Sequence, residues 1–183
     1  MDVRLSRARL RLPRQDDAPA LARHLDDMAI WRNLRDRVPQ PYTLADAQAF
    51  LAQSLAEDPA ASFVLEIDSE AAGGMALHAL DDVHRRSAEI GFWLGVRWHG
   101  LGIMTEAVGA LVRHAFARDA ALARVEARVF GWNAPSMCVL EKNGFVREGR
   151  LRDAVCKDGA FTDEIVYGLL RAEAARSCST FRC

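Results

Sequence analysis

The amino-acid sequence predicts an α+β fold, one mixed and mostly antiparallel central sheet with helices on both faces. Three observations predict it. The first half of the chain carries short alternating strands, two of them separated by a hairpin signal. The second half runs strand, helix, strand, helix, strand, with stripes of helical period between segments of period two. No repeat, low-complexity tract or linker divides the 183 residues, so residues 1–171 are expected to form a single domain, with 172–183 as a flexible tail.

The elements follow in order. Residues 8–12 (ARLRL) alternate as a short strand. Asp16 and Asp17 precede Pro19, giving an N-cap and an early-turn proline ahead of Leu21, Leu25 and Met28 at helical spacing. After the turn-prone RDRVPQPY, Thr43 and Asp46 stand as a capping-box variant before a helix bearing Phe50, Leu51 and Leu55. SFVLEID (62–68) and GMALHAL (74–80) read as strands joined through SEAAGG, whose glycines suit a hairpin turn.

SAEIGFWLGV (87–96) alternates strictly. Ala88, Ile90, Phe92, Leu94 and Val96 share one face, and Glu89, Gly91, Trp93 and Gly95 the other. A helix over about 103–117 follows, with Met104, Ala107, Val108, Leu111, Val112, Ala115 and Phe116 as its apolar stripe. ARVEARVF (123–130) is another alternating strand. Residues 133–145 read as a short helix, with Pro135 near its first position and Asn143-Gly144 as its stop. Residues 145–151 and 163–170 close the fold as strands.

Composition narrows the function classes. Half the residues are hydrophobic and 27% are charged, which excludes a wholly disordered chain. With 24 basic and 25 acidic side chains there is no global attraction to nucleic acid or to an anionic membrane. No apolar run approaches the ~18 residues of a membrane span, and the arginine-rich start lacks a signal-peptide core, so the expected location is cytoplasmic. Cys138, Cys156, Cys178 and Cys183 form no CxxC pair and have no histidine at ligand spacing; they read as reduced thiols, with no metal expected.

The most informative segment is Arg97-Trp98-His99-Gly100-Leu101-Gly102-Ile103-Met104-Thr105, between a strand and a helix. Its glycines let backbone approach a ligand, and the helix start favours an anionic group such as a pyrophosphate. A Walker A loop is excluded because no Lys-Ser/Thr follows, and a dinucleotide fingerprint would want a small residue where Thr105 stands.

AEIGFWLGVRWHGLGIMTEAV, then NAPSMCVLEKNGFVREGRLR, then FTDEIVYGLL, together resemble the GNAT family of acetyl-CoA-dependent N-acetyltransferases, and most nearly its RimJ/RimL-like branch. IWRNLRDRVPQPYTLADAQAFL resembles that branch's early helix–loop–helix, so the likeness extends to about residue 171. It implies that Arg97, Trp98, His99, Gly100, Leu101, Gly102, Ile103 and Met104 hold the coenzyme A pyrophosphate, and that the pantetheine arm lies along Phe92, Trp93 and Leu94. Backbone N–H groups on that strand would polarise the thioester carbonyl. Asn133 is expected to bond the pantetheine or a water, and Lys142 to meet a coenzyme phosphate. Homodimerisation is also implied.

Acetyl transfer needs a neutral amine, and aliphatic amines are mostly protonated at pH 7. Glu89, on the face where Gly91 and Gly95 leave room, is the candidate base, acting through water. Many family members place a tyrosine on the last helix to protonate the leaving thiolate. Leu140 stands there in this sequence, and Ser136 is the available substitute. Trp31, Asn33, Arg35 and Tyr42 lie in the segment that borders the acceptor site in the family, and Asp163 and Glu164 precede the last strand. His99 and His114 are read as incidental, and no base flanks Cys138 to make it a nucleophile. The expected reaction is direct acetylation of a primary amine in a ternary complex, the acceptor being a protein N-terminus or a small amine such as a polyamine, amino acid or antibiotic. The competing reading is a coenzyme-A-binding module without catalysis.

Overall fold

A computed structural model describes residues 1–177. Backbone contacts divide the described residues into two compact units, Met1–Ala76 with Phe92–Ala107, and Leu77–Gly91 with the residues from Val108 onward. Strands follow the order β1-β2-β3-β4-β5-β6-β8-β7, and two of them, β4 (Glu70–Ala79) and β5 (Ser87–Leu94), run through both units. The architecture is α+β with a mixed sheet, as the alternation of periods predicts.

In the first unit β1 (Asp2–Arg4), β2 (Arg9–Arg11), β3 (Ser62–Ile67) and β4 pair antiparallel in sequence. The sequence does not predict β1, because Asp2-Val3-Arg4 alternates over too few residues to establish a period of two. The β3–β4 turn is Asp68-Ser69, with φ of 50° and 65°, so the two-residue turn precedes the glycines instead of using them. Gly73 and Gly74 lie inside β4 for a packing reason: a Cβ on Gly74 would stand 2.5 Å from Trp93 Nε1.

The first helical stretch is broken in two. Helix α1 (Ala18–Leu25) ends before Asp27, whose carboxylate accepts from Ala29 N at 2.7 Å and starts α2 (Met28–Trp31). Met28 is consequently exposed, outside the stripe of Leu21 and Leu25. The predicted capping box is present at α3 (Leu44–Ala56): Thr43 N donates to Asp46 at 2.8 Å, and Asp46 N to Thr43 Oγ1. Its inward face is Ala47, Leu51 and Ser54, while Phe50 and Leu55 face out. Leu21, Leu25, Ile30, Tyr42, Leu51 and Val64 form the core here, with Trp93 packed against it. A buried ion group closes one side, where Arg11 donates to Asp17 at 2.6 and 2.9 Å and to Glu66 at 2.5 Å. It borders an open hollow of about 280 Å³, also lined by Arg14, Arg23 and Glu70.

In the second unit β5 and β6 (Arg124–Phe130) are parallel over three pairs, Ser87↔Arg124, Ala88↔Val125 and Glu89↔Glu126. β6 then pairs antiparallel with β8 (Ala160–Leu170), and β8 with β7 (Val146–Lys157). This last hairpin is longer than the sequence predicts, turning at Asp158-Gly159 and enclosing residues 152–162. Helix α4 (Ile103–Arg118) buries its predicted stripe from Val108 through Phe116 here. Helix α5 (Ala134–Lys142) is capped by Asn133 and ends before Gly144, at φ 82°.

Residues expected to begin a tail instead form α6 (Arg171–Ser177). Arg171 ties it down, donating to Leu122 O and Phe116 O at 2.8 and 2.9 Å with its guanidinium 4.9 Å from the Phe116 ring. The remainder of the expected tail, with Cys178 and Cys183, lies outside the described residues. Among the described residues no helix is long and apolar enough to cross a membrane.

Candidate active site

In the first unit β5 ends at Leu94 and the chain passes through a short turn, Val96–Trp98, into the glycine segment. Gly95 is required there, because a Cβ would lie 2.7 Å from the Trp98 ring. Trp98 is buried beneath the turn, its ring edge-on to His24 at 5.1 Å, while His24 Nε2 bonds Glu70 at 2.6 Å. Trp98 thus supports the segment from below. Arg97 is exposed, with its guanidinium 5.3 Å from the Trp98 ring, and a His99 ring nitrogen bonds Leu94 O at 2.8 Å.

Gly100 and Gly102 sit at φ 74° and 77°, a conformation costly for other residues, and a Cβ on either would meet nothing within 4 Å. Gly102 O accepts from Glu106 N, opening α4. The first N–H groups of that helix have no acceptor within it. Ile103 and Met104 are buried and fix the helix start, whereas Leu101 is exposed. A helix start beside two open glycines is a cradle for an anionic group. On β5 itself Phe92 and Trp93 are half-buried and Leu94 is buried.

The expected acceptor segment is internally tied. Trp31 Nε1 donates to Val38 O and Asn33 Nδ2 to Ala29 O, each at 2.9 Å. Tyr42 is buried in the core, and burial, helped by Asp46, pushes its phenol up to about 12. These three side chains shape the segment; Arg35 is exposed on it.

In the second unit Glu89 is half-buried and stands opposite Glu126 at the last β5–β6 pair. Two residues on, a Cβ at Gly91 would meet nothing within 4 Å, whereas one at Gly95 would meet the Trp98 ring at 2.7 Å, so the room expected at both glycines is present at Gly91 and absent at Gly95, which Trp98 fills. Arg128 donates to Glu164 at 3.0 Å and lies 3.9 Å from Glu126. The Glu164 bond raises the hold of Arg128 on its proton against the effect of burial, and Glu126 and Glu89 add to it electrostatically. Arg124 spans Glu126 and Glu148, in the space that Gly168 leaves without a side chain. Sequence reading missed Glu126 and Arg128; the polar face of ARVEARVF was their signal.

Asn133 Oδ1 accepts from Ser136 N at 3.3 Å, so its carbonyl caps the helix while its amide N–H₂ can donate to a ligand. Ser136 is half-buried, Lys142 and Cys138 are exposed, and Leu140, where a tyrosine was sought, is fully buried. The nearby phenol is Tyr167, which donates to Glu141 at 2.8 Å and is held up to about 12 by burial and that bond. The Asp163 carboxyl is lowered by a backbone bond from Asp153 and by Arg150, while burial lowers the half-buried His114.

Residues 7–146 match the family model described as an acetyltransferase (GNAT) domain. The chain belongs to the GNAT family. This GNAT chain is 38% identical over 106 residues to YdaF of Bacillus subtilis, which carries the provisional name of a ribosomal N-acetyltransferase; the match covers 58% of this chain and 57% of that protein. It is 31% identical over 105 residues to a ribosomal-protein-serine acetyltransferase of Escherichia coli, covering 57% and 58% of the two. The chain thus spans a little over half the length of these two relatives. Mycobacterium smegmatis RimJ, solved in complex with CoA-disulfide, superposes with a TM-score of 0.81 at 28% identity over 96% of this chain and 90% of that one.

Proposed function

We propose that this GNAT chain transfers the acetyl group of acetyl-CoA to a protein N-terminal amino group by direct attack in a ternary complex. The observation that carries the reading is the open, left-handed Gly100–Gly102 turn at the start of α4, which fits a pyrophosphate and follows the strand bearing Glu89. The family match runs through both units and supports reading 1–171 as one acetyltransferase domain. The names of the relatives support a protein acceptor and are compatible with a cytoplasmic location.

Acetyl-CoA supplies an activated thioester. Arg97 and the first N–H groups of α4 hold its pyrophosphate, with Lys142 reaching a further phosphate and the Asn133 amide the pantetheine. Backbone N–H groups at Phe92–Leu94 polarise the thioester carbonyl. Glu89 takes a proton from the acceptor ammonium, freeing the lone pair, and Ser136 donates to the departing thiolate. The segment of Trp31, Asn33 and Tyr42 borders the acceptor.

Thiol release from acetyl-CoA tests this with peptides beginning in serine or alanine, the same peptides blocked at the N-terminus, and spermidine. Release with the free termini and none with the blocked ones is expected. Release with spermidine alone would move the acceptor to small amines, and affinity for acetyl-CoA without release would leave a binding module.

A further inference from the structure

We propose that His78 is a positioning residue for Glu89 that carries the proton Glu89 collects out to solvent. The inference rests on reading Glu89 as the base. Leu80 N donates to Ser87 O at 3.0 Å, which pairs these residues across the antiparallel strands β4 and β5. Two residues along each strand, in opposite directions, His78 stands across from Glu89. The same register explains why Gly74 lies under Trp93, four residues farther along each strand. On the other side of β5 the residue opposite Glu89 is Glu126. Residues directly opposite share a face, with Cβ atoms about 4.5–5.5 Å apart. His78, Glu89 and Glu126 therefore form one row across three strands, on the face where Gly91 leaves open space.

The charges on this row make the imidazole useful. Glu89 is faced by His78 from β4, by Glu126 and Arg128 from β6, and through Arg128 by Glu164 from β8. Arg128 is shared among these three carboxylates. Arg124 is engaged by Glu148 as well as Glu126 and adds little surplus. His78 is half-buried, and none of the described hydrogen bonds or ion pairs uses its ring, which leaves both nitrogens open to water.

The reaction supplies the need. An ammonium R–NH₃⁺ and acetyl-CoA become R–NH–acetyl, the free thiol and one proton. Glu89 removes a proton from the ammonium; nitrogen then bonds the carbonyl carbon, the C–S bond breaks, Ser136 gives its proton to the thiolate, and the second nitrogen proton restores Ser136. The proton on Glu89 has to leave before the next cycle. An imidazole can take up and give off a proton at either ring nitrogen, so the Glu89 proton passes to His78, directly or over one water, and the ring releases it to solvent.

His78→Gln, His78→Ala and Glu89→Gln in the full chain test this, using acetyl-CoA and a peptide with a free N-terminal serine. The expected result for both His78 variants is a kcat about tenfold or more below wild type, with KM for acetyl-CoA and Tm unchanged. Added imidazole restores His78→Ala and leaves Glu89→Gln inactive. Wild-type kcat in His78→Gln, or a loss in His78→Ala that imidazole does not recover, overturns the proposal. Loss of the fold in both variants also overturns it, by assigning His78 to packing. A wild-type rate in Glu89→Gln instead removes the base on which the proposal stands, and no release by the wild type with any amine removes the proposed function.

Discussion

Gly91→Val separates a site on the Glu89 face from ordinary packing. A Cβ at Gly91 would meet no atom within 4 Å, and its φ lies outside the left-handed region, so the substitution forces no clash and no backbone strain. Glycine inside a strand costs roughly 0.5–1 kcal/mol relative to residues with a side chain. Stability should hold or rise by that amount, which for a chain of this size moves Tm upward by about 2–4 °C at most. The added methyl groups enter the space beside Glu89, where displacement of the reacting groups by ~1 Å costs on the order of a hundredfold in rate. We expect kcat/KM for acetyl-CoA to fall about 10- to 100-fold, with Gly91→Ala between the two. Melting curves and steady-state thiol release read both quantities. Wild-type kcat/KM in a stable Gly91→Val protein would show that substrate does not use this face, and a collapsed Tm would show that the space is not there.

Gly74→Ala should behave in the opposite way, losing about 1–3 kcal/mol in urea unfolding, because its Cβ would lie 2.5 Å from Trp93 Nε1. Asp17→Ala leaves the buried Arg11 with Glu66 as its remaining carboxylate and should cost about 3 kcal/mol in the same assay. Both tyrosines should resist ionisation until about pH 12, read as phenolate absorbance. Their folded values lie above the unfolded value of 10.0, so the stability they confer is complete below pH 10 and is lost as pH rises through 12.

Local chemistry is what the sequence displays well. The Thr43–Asp46 box, the Asn133 cap with Pro135, the Gly144 stop and the α4 stripe each act within a few residues, and all are present. Glycine was ambiguous because two uses compete for it. SEAAGG suggested a turn, but Asp68 and Ser69 supply the positive φ, and Gly73 and Gly74 make way for Trp93 and Leu94 from another strand. Asp27 could end or begin a helix, and its cap on Ala29 decides that Met28 faces solvent. The full length of the β7–β8 hairpin is not legible because β7 and the first residues of β8 are largely exposed and so lack an apolar alternation. At the site, the glycine segment was legible as a contiguous motif. The row of His78, Glu89 and Glu126 was not, since it exists only once the register of three strands is known.

Amide hydrogen exchange with and without acetyl-CoA locates the bound coenzyme on the chain. Slowed exchange at Phe92–Leu94 and from His99 to Thr105 is the predicted result, since those N–H groups are the ones assigned to the thioester and the pyrophosphate. Protection confined instead to residues lining the arginine-rich hollow, around Arg14, Arg23 and Glu70, or no protection at saturating acetyl-CoA, would contradict it.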